Sequence, residues 1–238
     1  MEKLNVGVLF SGGKDSTYTV YKCAEQGFNV SCLISIFSKS KESWMFHTPN
    51  IGLVKLQSKA LGIPLFTDVT EGEKELELAD LERALKSAKE KYALDAVGAG
   101  ALASKYQYDR VANICSDLGM QCITPLWQKN PAEYLREMLA AGFKIRFSAI
   151  AAYGLTEKWL GRELDENALE ELIELNRKHS IHIGGEGGEF ESMVLDGPIF
   201  KKRVEILDAE TILENQSTGI YKVKKAKLVA KAVPIPNN

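Results

Sequence analysis

The sequence has no long apolar runs. No window approaches the eighteen or so apolar residues of a membrane-crossing helix, and the opening MEKLNVGVLFSGG lacks the apolar stretch of a secretory signal. A reducing, cytoplasmic setting with no membrane partner is therefore the expectation. Net charge is also slight, since 30 Lys and Arg against 32 Asp and Glu leave −2 at pH 7. That excludes the global electrostatic footprint of a nucleic-acid binder, so any polyanion contact must be local. The one basic stretch, from Lys201 to Lys231, is interleaved with acids and reads more plainly as a solvated strand face. Cysteine is scarce, and Cys23, Cys32, Cys115 and Cys122 form no C-x-x-C pair of the zinc or redox kind. They read as reduced core residues. Internal repeats and low-complexity tracts are absent as well. What remains is 238 residues with 45% hydrophobic and 26% charged side chains, enough to bury a substantial core in one large or two modest domains.

From Leu4 to Trp127, short β-branched runs alternate with segments of helical period, the pattern of an α/β fold with a parallel sheet covered on both faces. Strands are expected over 5–10, 29–37, 64–69, 96–101 and 120–127, and helices over 16–26, 51–61, 74–92 and 106–118. Gly27, Gly62 and Gly119 follow three of those helices as left-handed caps. After Trp127 the rhythm changes, which places a boundary between domains 1–128 and 129–238. The second, smaller α+β domain is expected to hold a helix from Pro131 to 141, a strand over 143–149 and a charged amphipathic helix over 166–178. A glycine-rich hinge, IGGEGGEFES, follows over 183–192, and a β-rich tail over 204–231.

The stretch LFSGGKDS, Leu9 to Ser16, falls between the first strand and the first helix. In a parallel sheet ligands bind beyond the carboxyl ends of the strands, and a glycine turn there lets backbone N–H groups approach an anion. Gly12 and Gly13 permit that approach, the helix N-terminus adds a positive dipole end, and Lys14 adds a full charge. Ser11 and Ser16 can donate hydroxyl bonds, and Asp15 can cap the helix or help hold Mg²⁺. The spacing is neither that of a Walker A loop nor G-x-G-x-x-G, which argues against the usual kinase and dehydrogenase readings.

SGGKDS resembles the PP-loop of the ATP pyrophosphatases, which cleave ATP between the α and β phosphates and transfer AMP. The resemblance implies a five-stranded parallel Rossmann-like sheet of the HUP type. It also implies that Ser11, Gly12, Gly13, Lys14, Asp15 and Ser16 hold the pyrophosphate end, with Leu9 and Ser35 near the nucleoside. MFHTPN (45–50), GALASKYQYDRV (100–111), PLW (125–127), GEGGEFES (185–192) and LDGPIF (195–200) extend the likeness over nearly the whole chain to the diphthine-ammonia ligases. Only Ser192 departs, where that family is associated with threonine. The resemblance implies ATP and Mg²⁺ as cofactors, translation elongation factor 2 as protein substrate and ammonium as nitrogen source. A substrate carboxylate would attack the α-phosphate, a step that needs no general base because a carboxylate is already ionised at neutral pH. Lys14 and Asp15 are then the catalytic pair, with Asp15 also the metal ligand.

For the substrate, Glu186, Gly187, Gly188, Glu189 and Glu191 form an acidic, flexible-looking segment suited to a quaternary ammonium, ammonium or Mg²⁺. A solvated turn is the plainer alternative. His47, Tyr106, Gln107 and Arg110 follow strands at the same sheet edge, and Asp109 lies among them; each has a structural alternative in the loop or helix that holds it. Trp44, Phe46, Trp127, Trp159 and Phe190 are stacking candidates or core. A tRNA-thiolating enzyme and a non-catalytic adenine-nucleotide sensor are the other readings. Dispersed cysteines and mild acidity weigh against the first, and homodimerisation stays open.

Overall fold

The apolar run after Lys3 forms β1 (Asn5–Leu9), the central strand of the first sheet, with its three inner residues buried. The computed structural model describes residues 3–38, 50–72, 77–100 and 105–231. Beside β1 lie β2 (Asn29–Ser38), β3 (Leu65–Thr70), β4 (Ala96–Gly98) and β5 (Gln121–Ile123), all parallel, in the order β3-β2-β1-β4-β5. The chain winds outward from β1 to β3 and then returns to β4 on the other side. The crevice above β1 and β4 is therefore the topological switch point.

Helices α1 (Lys14–Glu25) and α2 (Val54–Leu61) cover one face of this sheet, and α3 (Glu77–Tyr92) and α4 (Lys105–Asp117) the other. The three glycines expected as helix caps have φ of 86° at Gly27, 69° at Gly62 and 62° at Gly119, values that cost a side-chain-bearing residue about 1–2 kcal/mol. Beyond residue 130 come α5 (Pro131–Ala140), β6 (Lys144–Ala151), α6 (Glu166–His179), β7 (Phe190–Asp196) and the long hairpin β8 (Lys202–Asn215) and β9 (Thr218–Ala230). These strands form an antiparallel sheet in the order β7-β6-β9-β8, so β7 is an edge.

The two sheets share one core. A single apolar cluster runs from Val6, Val8 and Phe10 through Tyr18 of α1 and Val54 of α2 to Phe147, Phe190 and Val194 of the second sheet. Helices α1 and α2 are thus packed between the sheets, and the glycine turn at the start of α1 faces the edge strand β7.

Three local expectations are corrected, and the reading of the cysteines as reduced thiols holds with one addition. Helix α1 starts at Lys14 and not at Ser16, because Gly13 takes the extended cap conformation and its carbonyl accepts the Thr17 N–H at 3.1 Å. Strand β5 stops at Ile123; Pro125 has no ladder donor, and the Trp127 N–H closes a turn on the Thr124 carbonyl. The glycine-rich 183–192 segment is no hinge. Its end is the start of β7, paired with β6 from Phe190 onward, and the rest is a loop closed by its own hydrogen bonds. The cysteines are all free thiols, but Cys115 and Cys122 are neighbours. Their mutual hydrogen bond holds the Cys115 thiol up and pulls Cys122 down.

Candidate active site

At the end of β1, Phe10 remains tied to β2 from both sides. Its N–H donates to the Ile34 carbonyl at 2.8 Å, and its carbonyl accepts the Ser35 hydroxyl at 2.5 Å. Ser35 therefore braces the strand that launches the turn. The chain then reverses at Gly12, where φ is +80° and a Cβ would stand 2.1 Å from the Gln57 Oε1. Glycine is required there on both counts. Gln57, 1% exposed on α2, donates through Nε2 to the carbonyls of Gly12 at 2.7 Å and Val194 at 2.8 Å. The Val194 N–H donates to the same Gly12 carbonyl at 3.0 Å. An edge strand normally leaves such groups unpaired; here the glycine turn and Gln57 cover them.

Gly13 brings no capping side chain to α1. By contrast, Asn130 caps α5 and Asp165 caps α6. The first N–H of α1, that of Lys14, instead donates to the Ser192 Oγ at 3.2 Å, across 178 residues. Ser11 and Ser16 face each other at 3.2 Å, and the Ser16 hydroxyl donates to the Gly13 carbonyl at 3.2 Å. Gly100 lets the chain just beyond β4 come close to α1: a Cβ there would lie 3.0 Å from the Asp15 backbone carbon.

The Lys14 side chain, 4% exposed, places Nζ 2.9 Å from Asp15 Oδ2 and 5.3 Å from the centre of the Phe190 ring. Tyr134 of α5 donates its hydroxyl to Asp15 Oδ1 at 2.6 Å. Burial raises the Tyr134 phenol well above its ordinary value, and the charges of Asp15 and Glu186 add to the rise, so the hydroxyl stays a donor at any working pH. A second bond of the same kind, Tyr18 to Glu137 at 2.8 Å, fastens α5 to α1.

The acidic segment divides. Glu189 is committed to its own loop, accepting the His182 N–H at 2.9 Å and the Gly187 N–H at 2.8 Å, while the Gly185 and Gly188 φ angles of 70° and 83° make the bend. Glu186 and Glu191 face the lysine and tyrosine cluster electrostatically. Burial pushes the Glu191 carboxyl from the ordinary 4.5 up to about 7, against the downward pull of Lys14. Between those two values the folded chain keeps a proton that the unfolded chain has released, so stability falls as pH rises through that window. Glu191→Gln removes the cost. At pH 8 it is expected to be more stable than the parent by about 1–3 kcal/mol, with the difference vanishing near pH 4.5. Thermal melts of both chains across that range check this, and a pH-independent difference counts against it.

His47, Trp44 and Phe46 lie outside the described residues. Tyr106 and Gln107 lie in the first turn of α4, and Arg110 and Asp109 one turn on, with Asp109 paired to Lys105 at 2.7 Å. Trp127 stacks on Tyr108 with centroids 4.5 Å apart, while Trp159 and Phe190 are core. Gln57 and Tyr134 are the residues that sequence reasoning missed, and it singles out Ser192 only as the end of its motif, without a role. Of the two missed, Gln57 left a local signal, a long polar side chain on the same helical stripe as Val54 and Leu61.

A glycine turn at the switch point of a doubly wound sheet, with an uncapped helix behind it, defines a nucleotide-binding type of α/β protein. Family models sharpen that class: the diphthamide synthase N-terminal domain matches residues 4–122, and the diphthamide synthase C-terminal domain matches residues 130–229. The chain belongs to the diphthamide synthase family. It is 34% identical to the diphthine–ammonia ligase of Mus musculus, over 89% of this chain and 86% of that one. With the diphthine–ammonia ligase of Danio rerio it shares 36% identity, over 87% of this chain and 88% of that one. Among solved structures, a predicted subunit of tRNA methyltransferase from Methanocaldococcus jannaschii overlays with a TM-score of 0.42 at 19% identity, over 93% of this chain and 98% of that one.

Proposed function

We propose that the chain is an ATP-dependent carbon–nitrogen ligase that amidates diphthine on translation elongation factor 2, using ammonium and releasing AMP and pyrophosphate. The observation that carries this reading is the union of two distant motifs. GEGGEFES ends on β7, and β7 is hydrogen-bonded to the SGGKDS turn through Ser192 and Val194. A site that must activate a carboxylate with a nucleotide and then amidate it needs both parts within one substrate's reach.

In this reading residues 1–128 hold the nucleotide and residues 129–238 select the substrate. The turn from Ser11 to Gly13, the N-terminus of α1 and Lys14 receive the phosphates, with Ser16 bracing the turn and Leu9 and Ser35 on the nucleoside side. Lys14 stabilises the charge that develops on the departing pyrophosphate. The diphthine carboxylate attacks the α-phosphate unaided. Glu186 and Glu191 attract the trimethylammonium group or ammonium, and Glu191, titrating near neutrality, accepts the proton that ammonium loses before its nitrogen attacks. Gly187, Gly188 and Glu189 shape that loop, and His47, Tyr106, Gln107 and Arg110 are assigned to substrate binding as well.

Among the described residues no group of three or more His, Cys, Asp or Glu gathers to hold a metal. A fully protein-held Mg²⁺ is therefore a poor fit, whereas an ion held by one carboxylate, water and phosphate fits Asp15. Product analysis tests the whole reading. AMP and pyrophosphate should form only when diphthine-bearing elongation factor and ammonium are both present. AMP formed with tRNA and a sulfur donor would instead make the chain a thiolation enzyme, and no turnover would make it a sensor.

A further inference from the structure

The hydroxyls around the turn are not equivalent. The Ser16 hydroxyl donates to the Gly13 carbonyl and its oxygen accepts the Ser11 N–H at 3.3 Å, which leaves the Ser11 hydroxyl to donate to Ser16. The Ser35 hydroxyl donates to Phe10. In each case the hydrogen is engaged within the protein. Ser192 differs. Its oxygen accepts from Lys14, and among the described residues its own hydrogen meets no acceptor. It is 9% exposed and lies over the turn, its Oγ 3.7 Å and its carbonyl oxygen 3.2 Å from where a Gly13 Cβ would be.

We propose that Ser192 is a ligand for the pyrophosphate end of the nucleotide, supplied by the second sheet to a site otherwise built by the first. The inference rests on the nucleotide reading above and adds to it a specific donor. In the free chain the Ser192 oxygen occupies the Lys14 N–H, holding the helix N-terminus in place of an anion. When a phosphate oxygen arrives, Ser192 keeps that bond and turns its hydrogen toward the anion. Strand β7 holds the oxygen in register through the Val194 and Gln57 bonds to Gly12, so the donor is positioned before the anion binds.

Calorimetric titration of the full chain with inorganic pyrophosphate and, separately, with AMP tests this in the parent and in Ser192→Ala, Ser192→Thr and Ser192→Val. A hydrogen bond to a charged acceptor implies pyrophosphate binding weaker by about tenfold to a hundredfold in the alanine variant. AMP, which lacks the pyrophosphate, should bind within about twofold of the parent, on the scale where tenfold is 1.4 kcal/mol. Threonine should restore pyrophosphate binding and its near-isostere valine should not, a contrast that survives even if the alanine chain folds poorly. Unchanged pyrophosphate affinity in the alanine and valine variants overturns the inference while leaving the nucleotide reading standing. Equal weakening of pyrophosphate and AMP, with a lower melting temperature, also overturns it by making Ser192 a structural tie. A parent chain that binds neither probe overturns both.

Discussion

Replacing Lys14 with alanine is expected to slow AMP formation by about a hundredfold or more, equivalent to about 3 kcal/mol of lost transition-state stabilisation. The ammonium group sits with 4% exposure between the Asp15 carboxylate at 2.9 Å and the Phe190 ring. Little water separates it from an anion arriving at the turn, so its charge acts with less screening than at the surface. The loss should fall on the rate and not on the fold. Asp15 is 30% exposed and keeps its bond from Tyr134, so removing Lys14 leaves a carboxylate that water and one donor still satisfy. The variant has a second signature: without the Lys14 charge that lowers it, the Glu191 carboxyl should titrate still higher than about 7. Single-turnover measurement of AMP, beside a thermal melt of the same sample, separates rate from stability. Near-parental turnover would sink the role assigned to Lys14.

What could be read in advance was whatever the local chain dictates. Alternating β-branched runs gave the five parallel strands, and the glycines at 27, 62 and 119 gave three helix ends, because each signal sits within a few residues of the feature it sets. The glycine turn between β1 and α1 was legible for the same reason. Strand β7 was not, because GEGGEF has the glycine and acid content of a loop, and only pairing with β6 and docking on Gly12 make its continuation extended. Tyr134 and Ser192 act on Asp15 and Lys14 across 119 and 178 residues, and Gln57 on Gly12 across 45. No periodicity encodes contacts of that range. The three glutamates show the same limit in another form: composition grouped them as one charge, whereas the fold turns Glu189 into its own loop and sets Glu186 against Tyr134 and Glu191 against Lys14.

Gly12→Ala should be the most destabilising single change in the turn. A side chain at φ +80° costs about 1–2 kcal/mol in backbone strain. Its Cβ would also stand 2.1 Å from the Gln57 Oε1, so the amide must leave, breaking two bonds at about 1 kcal/mol each. Together these give about 3 kcal/mol, a fall in melting temperature of about 6–12 °C for a chain of this size. A double-mutant cycle isolates the second part. Gln57→Ala alone removes the same two bonds and leaves a void, but in the Gly12→Ala background the amide has already been displaced, so truncating it should cost about 1–2 kcal/mol less than it does alone. Strict additivity would mean that Gln57 does not clamp the turn. The Gly12 carbonyl would then depend on Val194 alone for its tie to the second sheet.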